Sequence, residues 1–223
     1  MHIGLIGGIG PAATDYYYRR LISEFALRNT ALELTIAHAD APTLLDHLAS
    51  NDIESQVDIY TRLTDRLALA GAECVVVTSI GGHFCIESFK QRSSLPVIDM
   101  IEVVDEFIRQ HPYQRVGLLG TNVVMQTRFY SGISGAEVIA PEGTALDEVH
   151  TAYVAMATAG QATDAQRAVF DSACDWLINE AQVDAVMMGG TDLALIYQAG
   201  KTSFPIVDCA AVHVDAIVRH ATR

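Results

Sequence analysis

Basic residues are scarce: 14 Lys and Arg stand against 27 Asp and Glu in 223 residues, a formal net charge of −13. That imbalance repels phosphate backbones and anionic lipid surfaces, and no local Lys/Arg cluster offsets it, so no nucleic acid and no membrane is expected as a partner. Cysteine is sparse as well. Cys74, Cys85, Cys174 and Cys209 show no C-x-x-C spacing, which argues against a zinc site or disulfide framework and for buried free thiols. Long apolar runs are missing: Gly, Asp or His interrupts each one before it could span a bilayer. The opening "MHIGLIGG" starts a strand at once, with no basic region or cleavage site, so a cytoplasmic protein is expected. Low-complexity segments and long linkers are absent too.

What is present is a chain half hydrophobic, enough to bury a substantial core. Apolar period and punctuation alternate between strand and helix, the pattern of a parallel sheet covered by helices on both faces. Strands are expected at residues 2–6, 32–37, 74–78, 97–98, 116–119, 136–139, 183–188 and 206–207. The clearest helices are expected at 11–29, 53–70, 101–110, 146–159, 165–181 and 210–220. The halves repeat: "HIGLIGG" at residue 2 returns as "RVGLLGT" at 115, "GAECVVVTS" at 71 as "QVDAVMMGG" at 182, and "LPVIDM" at 95 as "FPIVDC" at 204. Three matched strands in one order imply two copies of an α/β lobe with a cleft between them, because parallel sheets bind ligands beyond the carboxyl ends of their strands. The loops at those ends are 7–14, 78–83, 121–127 and 189–192.

The first loop, "GLIGGIGPAAT", leads from a strand into a helix, where free N–H groups attract an anion. Gly8, Gly10 and Ala13 fit G-x-G-x-x-A, yet Pro11 removes one N–H and Asp40 comes too late to be the acidic partner of a dinucleotide site. A nucleotide site, a carboxylate-binding turn and a structural turn remain open. In "VVVTSIGGHF", a helical turn would let His83 reach the Ser79 hydroxyl as base to nucleophile, with Thr78 beside them. Equally, Ser79 would cap the following helix and His83 pack in its first turn. Thr191, Asp192 and Asp208 read as site residues or helix caps, and His213 as a site residue or a satisfied core histidine. His38, Asp40, His83, Asp192 and His213 show no recognised metal-ligand spacing, so no metal is expected.

Taken together, "IGLIGGIGPAAT", "LLGT...FY", "GGTDL" and "VDCAAVHVDAI", in that order, resemble the aspartate/glutamate racemase superfamily, especially its aspartate racemase branch. The resemblance implies an α/β fold of two pseudo-symmetric lobes, residues 1–100 with 208–223 and residues 101–207, with the active-site cleft between them. It also implies a homodimer, no cofactor, and a small carboxylic or amino acid as ligand. Family racemases use two cysteines, one on each side of the substrate's α-carbon. The first lies in Cys-Asn-Thr-x-His, where this chain has "SIGGH" with Ser79 at the cysteine; the second lies in Gly-Cys-Thr-Glu, where it has "GGTD" with Gly190 at the cysteine. Both thiols are thus expected to be missing, and with them the two-thiol mechanism. Pro42 and Thr158 fall near the branch's carboxylate-holding Arg and Lys, and Val124 replaces a threonine. The expected catalytic set is Ser79, His83, Asp192, His213 and Thr78. Gly8, Gly10, Thr14, Thr121, Gly190 and Thr191 are expected to bind substrate. Three activities stay open: an isomerase or lyase with this modified set, a racemase with a relocated thiol such as Cys85, and a non-catalytic carboxylate-binding protein.

Overall fold

A computed structural model describes residues 1–197 and 200–222. The chain groups into two compact units, Met1–Met100 with His213–Arg223, and Ile101–Val212. In the first unit the elements run β1 (His2–Gly7), α1 (Pro11–Leu27), β2 (Glu33–His38), α2 (Ala41–Ser50), α3 (Ile53–Leu69), β3 (Cys74–Val77), a 3-10 turn (Ile80–Cys85) and α4 (Ile86–Arg92). The strands form a parallel sheet in the order β2-β1-β3. Helix α5 (Met100–Arg109) leads into the second unit: β4 (Arg115–Gly120), α6 (Asn122–Gln126), β5 (Glu137–Ile139), α7 (Gly143–Ala159), α8 (Asp164–Asn179), β6 (Ala185–Gly189), a 3-10 turn (Thr191–Leu195) and β7 (Ile206–Asp208). Its sheet is parallel in the order β5-β4-β6-β7. Helix α9 (Cys209–Ala221) closes the chain.

The sequence repeat is a repeat of hydrogen bonds. Val75 donates to Pro96 O at 2.9 Å in the first unit, and Val186 donates to Pro205 O at 3.0 Å in the second. An acid before the third strand of each copy ties down the start of the first: the Glu73 carboxylate accepts from His2 N–H at 2.6 Å, and that of Asp184 from Arg115 N–H at 2.9 Å. The matched Gly4 and Gly117 each leave room for one leucine of a covering helix. A Cβ at Gly4 would lie 3.0 Å from Leu67 of α3, and one at Gly117 would lie 2.9 Å from Leu177 of α8. Every residue of β3 and β6 is buried, β6 as an interior strand of its sheet and β3, at the end of β2-β1-β3, beside the isolated bridge of Val75 to Val97.

Local chemistry sets the helix starts. Asp40 and Asp52 accept from the N–H of Thr43 and Ser55, and Thr163 with Gln166 forms a reciprocal capping box on α8. Two sequence expectations are corrected. Residues 97–98 make only an isolated bridge, Val97 to Val75, and not a strand, because a short apolar pair pairs on one side only. The strand expected from Val183 begins at Ala185, since Val183 N–H bonds back to Leu177 O and finishes the α8 turn. Helices α2, α4 and α6 and the two 3-10 turns are too short or too polar to have shown a clear period. Among the described residues no helix is long and apolar enough to cross a membrane.

Candidate active site

The strand-end loops of the first unit gather around β1 and β3. Gly10 takes a left-handed conformation (φ 68°), and its carbonyl receives the N–H groups of Ala13 and Thr14 at 3.0 and 3.4 Å, opening α1. Thr14 Oγ1 lies 3.0 Å from Thr78 Oγ1, which donates to Ile6 O at 3.2 Å. With its one proton spent on Ile6, buried Thr78 receives the Thr14 proton, so both hydroxyls brace the glycine turn. Ser79 is half-buried, and among the described residues its hydroxyl has no hydrogen-bond partner. It lies 4.0 Å from where a side chain on Gly10 would begin and 3.6 Å from the same point on Gly81.

His83 does not reach that hydroxyl. Its Nδ1 donates to the Ser79 carbonyl oxygen at 2.8 Å, and its Nε2 accepts Met100 N–H at 3.4 Å. The expected serine and base pair is therefore corrected: the 3-10 turn brings the imidazole under the backbone of residue 79, and the helix cap expected from the Ser79 side chain is absent too. Buried Asp99 lies 4.0 Å from His83 Nε2 and 3.2 Å from Lys90 Nζ. Desolvation lowers the His83 pKa, opposed by the Asp99 charge.

His213 is fully buried. Its Nδ1 accepts from Tyr17 Oη at 2.8 Å and its Nε2 donates to Ile98 O at 2.9 Å. Burial, followed by the nearby His83, pushes its pKa down to about 3. Both imidazoles are thus neutral, with both ring nitrogens engaged, which leaves neither free to bind a metal or take a substrate proton. Asp40 is committed as the α2 cap, accepting from Thr43 N–H at 3.0 Å and Thr43 Oγ1 at 2.6 Å.

In the second unit the ends of β4 and β6 meet α7. Thr121 precedes α6 without a side-chain capping bond, and the N–H of Asn122 donates to His150 Nδ1 at 3.1 Å. Residues Arg128 to Ser131 all have φ between 50° and 60°, a left-handed turn that costs about 1–2 kcal/mol per non-glycine residue. Gly190 follows β6 in an extended conformation, φ −161°. A Cβ built there would fall 2.4 Å from Cε2 and Oη of Tyr153 and 2.5 Å from its Cζ. The ring of Tyr153, on α7 and only 8% exposed, thus fills the volume that any side chain at 190 would enter.

Tyr153 Oη donates to Asp192 Oδ2 at 3.0 Å. Burial and the adjacent carboxylate push the phenol pKa up, so the phenol keeps its proton. Thr191 and Asp192 are half-buried. The sequence reading missed Tyr153 and His150. Their signal is weak, the segment "HTAY" in α7, where two groups three residues apart share a helix face. A hollow of about 480 Å³ elsewhere in this unit, lined by Arg115, Arg128, Glu137, Glu142 and Trp176 among others, includes none of the residues named for the site.

All four cysteines are buried and free. Desolvation pushes the thiols of Cys74 and Cys174 up to about 11 and that of Cys85 up to about 12, and raises Cys209 well above the usual value. Cys85 Sγ points at Gly82 O, 3.7 Å away.

Comparison with known proteins agrees with this architecture. A provisionally assigned Asp/Glu racemase from Yersinia pestis superposes with a TM-score of 0.88 at 26% identity, over 100% of both chains. An aspartate racemase homologue from Pyrococcus horikoshii OT3 gives 0.83 at 23% identity, over 100% of this chain and 99% of that one. The aspartate racemase of Picrophilus torridus gives 0.79 at 20% identity, over 100% and 95%. These last two establish likeness of fold. At the level of sequence, residues 6–217 match the Asp/Glu/Hydantoin racemase family, and the chain belongs to that family.

Proposed function

We propose that this protein is a cofactor-independent isomerase acting at the α-carbon of a small amino or carboxylic acid, with Ser79 and Gly190 at the positions of the family's two cysteines. The reading takes it to be a cytoplasmic homodimer. One observation carries the proposal: Gly190 has no room for a thiol, because the Tyr153 ring fills the space a side chain there would enter, and its phenol is held by the Asp192 carboxylate. Burial and raised pKa values of all four cysteines support the same reading, since a buried thiol this hard to ionise makes a poor base.

In this reading Gly8, Gly10 and Thr14 hold the substrate carboxylate at the start of α1, where N–H groups and the helix dipole favour an anion. Ser79, with no partner for its hydroxyl among the described residues, adds a hydrogen bond to that carboxylate as negative charge develops on it. Asp192 takes the α-proton from one face and water on the Ser79 side returns a proton to the other, which inverts the carbon; Thr121, Gly190 and Thr191 line the Asp192 side of the substrate. Thr78, His83 and His213 act through position: Thr78 braces the glycine turn, His83 fixes the carbonyl of residue 79, and His213 locks α9 to α1. General acid and base catalysis of this kind contributes about 10²–10⁴ in rate.

The engagement of both histidines favours a second reading, a carboxylate-binding protein without chemistry, because Ser79 then has no base beside it. Proton exchange separates the two. In D2O, nuclear magnetic resonance should show the α-proton of at least one small amino or hydroxy acid exchanging with solvent, at least a hundredfold more slowly with Asp192→Asn. Binding without exchange across the panel establishes the second reading, and exchange unaffected by Asp192→Asn removes Asp192 from its role.

A further inference from the structure

Most cations of this acidic chain are committed to carboxylates; among the described residues Arg62, Arg66, Arg167, Lys201 and Arg219 are the Lys and Arg side chains that stand in no ion pair. Two of them share a hollow. Arg167 and Lys201 line a space of about 270 Å³ with Tyr197, Thr202, Ser203 and Phe204, and no Asp or Glu among the described residues is in its wall. Asp164 and Asp171, a turn before and after Arg167 on α8, pair with neither cation. The frame of the hollow is fixed from both ends. Tyr197 N–H bonds Leu193 O at 2.9 Å, its phenol donates to Asp171 Oδ1 at 2.6 Å, and its ring meets that of Phe204 edge-on at 6.1 Å. Pro205 O accepts from Val186 N–H, which ties the far end to β6. Burial and the bond to Asp171 keep the phenol protonated, so it brings no charge to the hollow. Thr202 spends its proton on Phe204 O at 2.6 Å. Donors remain all the same: Arg167 gives one Nη1 proton to Ile196 O at 3.4 Å and keeps the rest of its guanidinium, while Lys201 and the Ser203 hydroxyl have no partner among the described residues.

Two cations and a hydroxyl from two chain segments, with no carboxylate in the wall, suit a compact dianion. We infer that Arg167, Lys201 and Ser203 bind a phosphate group, either the free ion or the monoester of a small molecule. A phosphate dianion offers one charge to each cation and a third oxygen to the hydroxyl, whereas a monocarboxylate has one charge and two oxygens for three donor groups. The guanidinium takes two oxygens through its planar fork, and the ammonium acts as a point charge. The size is also selective. Pockets for drug-sized ligands run to about 300–1,000 Å³, so this smaller hollow admits a phosphate and a few further atoms and leaves no room for a nucleotide. None of its walls belongs to loops 7–14, 78–83, 121–127 or 189–192, so the inference stands apart from the proposed isomerase reading. A bound phosphate would bridge α8, through Arg167, to the segment that carries Lys201 and Ser203.

The experiment uses the full chain at about pH 7.5, where a phosphate monoester is mostly dianionic. Nuclear magnetic resonance follows the backbone amides of Lys201 and Ser203 and the Arg167 Nε–H during titration with sodium phosphate, glycerol 3-phosphate, sodium acetate and sodium chloride at one ionic strength. Phosphate or its monoester should saturate these signals at a concentration at least about tenfold below acetate, and chloride should give no saturable shift. Arg167→Gln and Lys201→Gln, both at exposed side chains, should each weaken phosphate binding about tenfold with Tm unchanged. Saturation by phosphate no earlier than by acetate, or an affinity unmoved in both variants, overturns the site. Shifts confined to Gly8 and Gly10 overturn it too, and report an anion at the start of α1 instead. Tighter binding of glycerol 3-phosphate than of inorganic phosphate assigns the site to a monoester and the reverse to the free ion; either upholds it.

Discussion

Replacing Gly190 with alanine tests the geometry most directly. The added methyl would lie 2.4–2.5 Å from three atoms of the Tyr153 ring, about 1 Å inside the 3.5–4.0 Å at which carbon atoms rest. Relief requires the buried ring to swing or α7 to shift. Overpacking of this kind costs about 1–3 kcal/mol, and stretching the phenol's bond to a charged acceptor adds about 1 kcal/mol more. The expected total is about 2–4 kcal/mol, or a fall in Tm of about 5–15 °C for a chain of this size. Tyr153→Leu removes the three clashing atoms, Cε2, Cζ and Oη, while keeping an apolar side chain under the loop. In that background Gly190→Ala should cost less than about 1 kcal/mol, giving a coupling of about 2 kcal/mol between the two positions. Thermal or urea melts of the two single variants and the double variant measure it. Equal costs of Gly190→Ala in both backgrounds would falsify the claim that Tyr153 occupies the side-chain volume of position 190. The same clash means that installing cysteine at both 79 and 190 will not create a two-thiol site unless Tyr153 is also made smaller.

Acid should destabilise the fold through its buried histidines. An unfolded histidine takes a proton near pH 6.5, whereas His213 holds out to about 3. Between those values the unfolded chain binds a proton that the folded chain refuses, so stability is retained above pH 6.5 and lost as pH falls below it. From pH 6.5 to 5.0, His213 alone accounts for ~2 kcal/mol; His213→Gln should flatten the Tm profile, and a wild-type Tm unchanged over that range refutes the assignment. Alkylation with iodoacetamide should modify no cysteine in the native protein and all four in denaturant, as read by mass. Rapid native labelling of Cys85 would bring back a relocated thiol.

The sequence alone was enough for the doubled α/β plan. Alternating strand and helix periods depend on which residues avoid water, and the repeat of "HIGLIGG" in "RVGLLGT" preserves the Gly4 and Gly117 positions that let Leu67 and Leu177 pack. It also singled out Ser79 and Gly190 as the residues expected where family racemases carry their two cysteines. The roles of the side chains around them were decided by distance. Ser79 and His83 sit four residues apart, a spacing that fits a nucleophile and base, yet the 3-10 turn delivers the imidazole to a carbonyl. His213 looked equally suited to core or site until Tyr17 and Ile98 were found on its two nitrogens. Tyr153 lies 37 residues before Gly190 in the chain, and nothing in local pattern ties a helix tyrosine to a strand-end glycine. Spacing along one element is set by its helical or extended geometry and can be read from the chain, whereas contacts between elements exist only after packing brings them together.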